Sequence, residues 1–128
     1  AFADFGLPYL RHISANLPQR LQELGLEPVP MTVFAKGAWF ALDELCDSGY
    51  NVVGLDWLHD PAEAKQIARG RVTLQGNAAP GVLYGDRAAI TKTVETMVKG
   101  FWSDKKGWIA NLGHGTRKAC CCPMLLLT

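Results

Sequence analysis

The 128-residue chain lacks both a long apolar run and a net charge of either sign. No apolar segment approaches the ~20 residues that a membrane-spanning helix needs, so no membrane association is expected. The 13 Lys and Arg residues nearly balance the 12 Asp and Glu residues, whereas nucleic-acid binding favours a strongly basic face. A signal peptide is also missing and the first residue is Ala1, so we expect the sequence to be a piece of a longer protein.

The cysteines lack the spacing of a disulfide framework or a zinc site. Cys120, Cys121 and Cys122 are consecutive, and Cys46 stands far from them in the chain. We therefore predict no metal site and an intracellular, reducing compartment. The remaining composition, 48% hydrophobic and 20% charged, is typical of a small globular domain that buries a core.

Segments with the apolar spacing of helices alternate along the chain with short apolar strands, and this alternation predicts an α/β fold. Apolar residues recur at helical spacing over about residues 4–24, where Pro18 predicts a kink or a break. Short apolar strands are predicted at residues 31–35, 52–55, 72–75 and 108–112, with helices at 39–46, 60–69 and 86–100. Such alternation predicts a parallel sheet. The pattern alone does not separate an open doubly wound sheet from part of a barrel.

The fourth predicted strand runs into a turn that presents His114 between Gly113 and Gly115. Glycine lets a backbone bend sharply, and histidine donates, accepts or carries a proton near neutral pH. An isolated loop histidine is more often only a structural hydrogen-bonding group. Its position at the end of a strand nevertheless favours the rim of an active site.

Other polar residues also follow predicted strands. Asp56 is interpreted as a carboxylate at the rim or, preferably, as a structural acceptor that holds neighbouring loops. The structural interpretation is favoured more strongly for Gln75 and Asn77. Lys36-Gly37 lacks the glycines and the Ser or Thr of a phosphate-binding loop, so no phosphate site is predicted. Packing roles are predicted for the four tryptophans, Trp39, Trp57, Trp102 and Trp108.

Four segments in order make the chain resemble the uroporphyrinogen decarboxylase family from about Phe5 to Gly115. They are Pro30-Met31-Thr32-Val33-Phe34-Ala35-Lys36-Gly37, Val53-Gly54-Leu55-Asp56-Trp57, Thr73-Leu74-Gln75-Gly76-Asn77 and Asn111-Leu112-Gly113-His114-Gly115. Their shared order and spacing make the resemblance specific. It implies the C-terminal half of a (β/α)8 TIM barrel, a fold of ~250 residues. The arginines and the aspartate of the family's substrate cleft belong to the other part of that barrel.

The resemblance also implies an activity, namely decarboxylation of the four acetate side chains of uroporphyrinogen III to coproporphyrinogen III in haem (porphyrin) biosynthesis. No cofactor is implied, because a protonated pyrrole ring accepts the electrons that departing carbon dioxide leaves. His114 is implied to bind the substrate, with Gly113 and Gly115 shaping its loop, and no catalytic residue carries over. The implied partners are the tetrapyrrole and a second copy in a homodimer. The implied compartment is the cytoplasm, or the plastid in a photosynthetic organism.

The sequence departs from the family in two places. Ala79 stands where the family usually has Asp, and residues 116–128 have no helical periodicity. We therefore expect residues 1–115 to form the family's barrel part and residues 116–128 to be an unrelated, disordered tail. The fragment is expected to be inactive alone. The alternatives are an inactive half-barrel remnant or pseudo-enzyme and, remotely, a relative of cobamide-dependent methyltransferases. Cobamide-dependent methyltransferases bind zinc through His and Cys, and the candidates for such ligands in this chain are His114 and Cys120.

Overall fold

A computed structural model describes residues 1–116 of the chain. Its helices are α1 (Phe2–Phe5), α2 (Leu7–Glu23), α3 (Leu42–Cys46), α4 (Pro61–Ala68) and α5 (Arg87–Phe101). Its strands are β1 (Thr32–Phe34), β2 (Val52–Gly54), β3 (Thr73–Ala78) and β4 (Trp108–Leu112), and two short 3₁₀ helices cover Trp39–Ala41 and Pro80–Tyr84. The predicted tail, apart from Thr116, lies outside the described residues.

The four strands form one parallel sheet in the order β1-β2-β3-β4. Val33 is aligned with Val53, Val53 with Leu74, and Leu74 with Trp108. The order never reverses, as in a barrel, whereas a doubly wound sheet reverses at its switch point. The predicted α/β class is confirmed, and the sheet is consistent with part of a TIM barrel.

One face of the sheet carries the hydrophobic core. Val33, Val53 and Leu74 are buried together with residues of α3, α4 and α5. Phe101 of α5 is fully buried, and its ring stacks on Trp108 with 5.5 Å between ring centroids. The helices that follow the strands therefore cover one side of the sheet.

The opposite face of the sheet is open. Phe34 and Ile109 are exposed there, at 46% and 45% of their surface. Gly54 is aligned with Phe34, and a Cβ atom built on Gly54 would lie 3.0 Å from Cδ2 of the Phe34 ring. The Phe34 ring thus occupies the space in which a side chain at residue 54 would stand.

A local sequence signal sets the start of α4. The Asp60 carboxylate accepts hydrogen bonds from the backbone N–H groups of Ala62 and Glu63, at 2.9 and 3.0 Å, and so caps the helix. Of the kink or break predicted at Pro18, the break is absent, because α2 continues through that residue. The missing Pro18 N–H costs α2 one backbone hydrogen bond, and this loss does not end the helix.

An ion cluster ties α3 to the start of β3, at the edge of the sheet where the strands begin. The Arg71 guanidinium donates to Asp43 and to Asp47, the latter at 2.7 Å. The hydrogen bond from Arg71 to Asp43 holds the pKa of the Asp43 carboxyl below its ordinary value of 3.8. Cys46 is buried nearby, and its burial raises the pKa of that thiol to about 11.

No helix within residues 1–116 is both long enough and apolar enough to cross a membrane.

Candidate functional site

The loops that follow the four strands meet at one edge of the sheet, because parallel strands end on the same side. Lys36 lies after β1, Asp56 and Trp57 lie after β2, Asn77 lies near the end of β3, and His114 lies after β4. In barrels of this type, function is concentrated at this edge.

His114 lies between two aromatic side chains. Its ring centroid is 6.3 Å from that of Phe34 and 6.1 Å from that of Trp57, with interplanar angles of 61° and 76°. Such edge-on contacts contribute about 0.5–1.5 kcal/mol each and hold the ring in place. His114 is otherwise exposed, and its Nδ1 lies 3.3 Å from the carbonyl oxygen of Gly115.

Two clefts of about 480 Å³ each meet at His114. The first, the sheet cleft, lies over the open face of the sheet, and its lining includes Thr32, Phe34, Gly54, Gln75, Asn111 and His114. The second, the loop cleft, lies among the loops, and its lining includes Lys36, Trp57, Pro80, Tyr84, His114 and Thr116. A ligand in either cleft would contact His114.

Asp56 holds the neighbouring loops together. Its carboxylate is 2% exposed and accepts hydrogen bonds from the backbone N–H of Gly37, at 2.7 Å, and of Leu58, at 3.0 Å. Asn77, 5% exposed, donates to the backbone oxygens of Asp56 and His59 at 3.1 and 2.8 Å. These contacts fit the structural interpretation of both side chains, whereas Gln75 faces the sheet cleft as part of its lining.

The two glycines beside His114 differ in their surroundings. The Gly113 N–H donates to the Ala78 carbonyl at 2.7 Å, and a Cβ atom on Gly113 would stand 2.6 Å from the backbone nitrogen of Trp57. A Cβ atom on Gly115 would meet nothing within 4 Å among the described residues. Steric fit therefore requires glycine at residue 113, while a role for Gly115 stays a prediction.

Lys36 and Trp57 belong to the site although the sequence did not assign them to it. For Trp57 the sequence predicted only a packing role; in the structure 40% of its surface is exposed, and the Lys36 ammonium lies 5.3 Å from the centroid of its ring. Trp39 and Trp102 are exposed too, at 57% and 39%. The signal that could have identified Lys36 and Trp57 is their position just after strands, which also identified His114.

His59 was not singled out by the sequence. Its side chain is 11% exposed, and Nδ1 lies 3.5 Å from an oxygen of Asp56. Neither ring nitrogen has a hydrogen-bond partner in the described part of the chain. His59 therefore lies close to the Asp56 carboxylate without a hydrogen bond to it.

Within residues 1–116, no group of three or more His, Cys, Asp and Glu side chains is arranged to hold a metal ion. Cys120, the candidate zinc ligand of the methyltransferase alternative, lies outside that part of the chain.

Comparison with known proteins identifies relatives of the whole described region. The model of the family described as uroporphyrinogen decarboxylase (URO-D) matches residues 1–119. Proteins named uroporphyrinogen decarboxylase from Schizosaccharomyces pombe, Danio rerio and Homo sapiens are 50%, 48% and 46% identical to the chain, over 89% of its length. The matches cover 32%, 30% and 30% of those relatives, so the chain spans about a third of the length of each.

Proposed function

The chain belongs to the uroporphyrinogen decarboxylase family, and from that premise we propose that it forms part of an enzyme that converts uroporphyrinogen III into coproporphyrinogen III. The reaction removes carbon dioxide from four acetate side chains of the tetrapyrrole. The observation that carries the proposal is the position of His114, at the edge where the strands end and between two clefts. Four strands do not close an eight-stranded barrel, so we propose that the chain alone is inactive.

The chemistry of the sheet cleft suits a macrocycle with acidic side chains. The exposed ring of Phe34 lines this cleft, and together with the exposed Ile109 side chain on the same open face of the sheet it offers an apolar surface for a flat pyrrole ring. His114 offers two ring nitrogens at the rim, of which the protonated one can donate to a substrate carboxylate and the unprotonated one can accept from a pyrrole N–H. A protonated pyrrole is itself the electron sink of a decarboxylation, so the proposed reaction needs no cofactor from this site.

The partners and the compartment follow from the same proposal. The substrate is a tetrapyrrole, the complete protein is a homodimer, and the enzyme acts in the cytoplasm, or in the plastid of a photosynthetic organism. A net charge of +1 gives no support for binding to nucleic acid.

A chimera tests the proposal directly. In the fission yeast relative, the segment that this chain matches is replaced by residues 1–116 of this chain. We expect the chimera to decarboxylate uroporphyrinogen, measured by chromatographic separation of the products, and the parent relative serves as the reference. His114→Ala is expected to lower kcat/KM about 10- to 100-fold, the effect of one lost hydrogen bond to a charged group.

The matched control is His12→Ala, since His12 is an exposed histidine on α2 whose ring lies at hydrogen-bond distance from Asn16 of its own helix. This variant is expected to keep the activity of the chimera. A chimera that folds but shows no turnover would contradict the proposal and favour the inactive half-barrel alternative.

A further inference from the structure

Among residues 1–116, Lys36 stands in the loop cleft as a cation without an anionic partner. No carboxylate of residues 1–116 lies within ion-pair distance of its ammonium group. None of the residues that line the loop cleft is Asp or Glu. Asp56, the carboxylate in the neighbouring loop after β2, is buried, and both of its oxygens accept backbone N–H groups. The loop cleft is therefore positively charged.

The protein holds this cation in place through contacts on two sides. The ammonium group lies 5.3 Å from the centroid of the Trp57 ring, a cation–π contact that restricts an otherwise mobile side chain. The loop that carries Lys36 is anchored by the 2.7 Å hydrogen bond from the Gly37 N–H to Asp56. Preorganisation of this kind lowers the entropy cost of binding a ligand.

Trp57 also brings Lys36 and His114 to one site. Its ring contacts the Lys36 ammonium and, edge-on, the His114 ring at 6.1 Å, and all three side chains line the loop cleft. A cation and an imidazole on one aromatic platform offer several N–H donors to a single anionic group. A carboxylate fits this donor set, because charge-assisted hydrogen bonds to carboxylates are among the strong ones.

We propose that Lys36, held by Trp57 beside His114, binds one carboxylate side chain of the substrate in the loop cleft. The inference rests on the proposed function, which supplies a substrate with several acidic side chains. Lys36 then acts as a substrate-binding residue that fixes the orientation of the macrocycle while the ring lies over the sheet cleft. No bond is formed or broken at Lys36.

Kinetics of the chimera test this role. Lys36→Met is expected to raise KM for uroporphyrinogen about tenfold, which corresponds to about 1.4 kcal/mol, with little change in kcat. Lys36→Arg, which keeps the charge, is expected to restore most of the affinity. Added salt is expected to raise KM of the unaltered chimera more steeply than that of Lys36→Met, because only the former has the charge to screen.

Lys106→Met provides the matched control, since Lys106 is an exposed lysine on the loop between α5 and β4, remote from the clefts. A direct titration with uroporphyrin, followed by its fluorescence, measures binding without turnover. We expect Lys36→Met to weaken this binding about tenfold and Lys106→Met to leave it unchanged.

The outcomes separate this inference from the proposed function. Equal KM and equal uroporphyrin affinity in Lys36→Met and Lys106→Met would overturn the inference even if the chimera is active. A loss of kcat at unchanged KM would overturn it as well. An inactive chimera whose uroporphyrin binding still depends on Lys36 would refute the proposed function and support the inference.

Discussion

Replacement of Gly113 by alanine tests how tightly the loop after β4 is packed. The added Cβ would lie 2.6 Å from the backbone nitrogen of Trp57, 2.9 Å from the backbone carbonyl carbon of Asp56 and 3.1 Å from the backbone carbonyl oxygen of Asn77. All three atoms belong to the backbone, so no side-chain rotation relieves the contact. To reach the ordinary contact distance of 3.4 Å, the loop must move by about 0.8 Å.

Such a movement has two energetic consequences. It strains the 2.7 Å hydrogen bond from the Gly113 N–H to Ala78, worth about 1 kcal/mol, and it overpacks the loop, at a cost of about 1–3 kcal/mol. We therefore expect Gly113→Ala to lower the free energy of unfolding by about 2–4 kcal/mol. Because His114 is the next residue, we also expect kcat/KM to fall.

Equilibrium urea unfolding of the chimera, followed by circular dichroism, measures the change in stability. Gly115→Ala is the matched control, because a Cβ there meets nothing within 4 Å in residues 1–116 and the effect should stay within about 0.5 kcal/mol. If Gly113→Ala were as mild as Gly115→Ala, the close approach of the β4 loop to the Trp57 backbone would not constrain the site.

Two further predictions concern the rest of the fold. Because Arg71 holds the pKa of Asp43 below 3.8, this pair stabilises the fold above that pH, and the contribution is lost as the pH falls through the lowered pKa. We therefore expect Asp43→Asn to be less stable than the parent at pH 6 and equal to it at the lowest pH values. Urea unfolding at each pH measures the difference. Phe101→Ala removes a fully buried ring that stacks on Trp108 and is expected to cost about 3–5 kcal/mol, and a loss below about 1 kcal/mol in the same assay would contradict the described core.

Much of the fold could be predicted because its signals are local. Asp60 and Pro61 mark the start of α4 within one short segment, and short apolar strands alternate with segments whose apolar residues recur at helical spacing. The possible break at Pro18 did not form, since a proline removes a single hydrogen bond while the rest of α2 retains its own. The 3₁₀ helix at Pro80–Tyr84 was missed, because its few residues carry too little periodicity to be recognised.

The site could be predicted only in part. The position of His114 after a strand is a local property, and it placed that residue at the correct edge of the sheet. The contact between Lys36 and Trp57 joins two loops 21 residues apart and arises from the pairing of β1 with β2, which no local pattern encodes. The steric need for Gly113 likewise depends on the backbone of Trp57, from a different loop.

The alignment of Phe34 with Gly54 has an evolutionary consequence. A methyl group at residue 54 would lie 3.0 Å from the Phe34 ring, so a side chain there requires either a shift of that ring or a smaller residue at position 34. The constraint acts in one direction, because a smaller residue at position 34 leaves Gly54 without a clash. A substitution at residue 54 would therefore be accommodated more readily after residue 34 has become smaller than before.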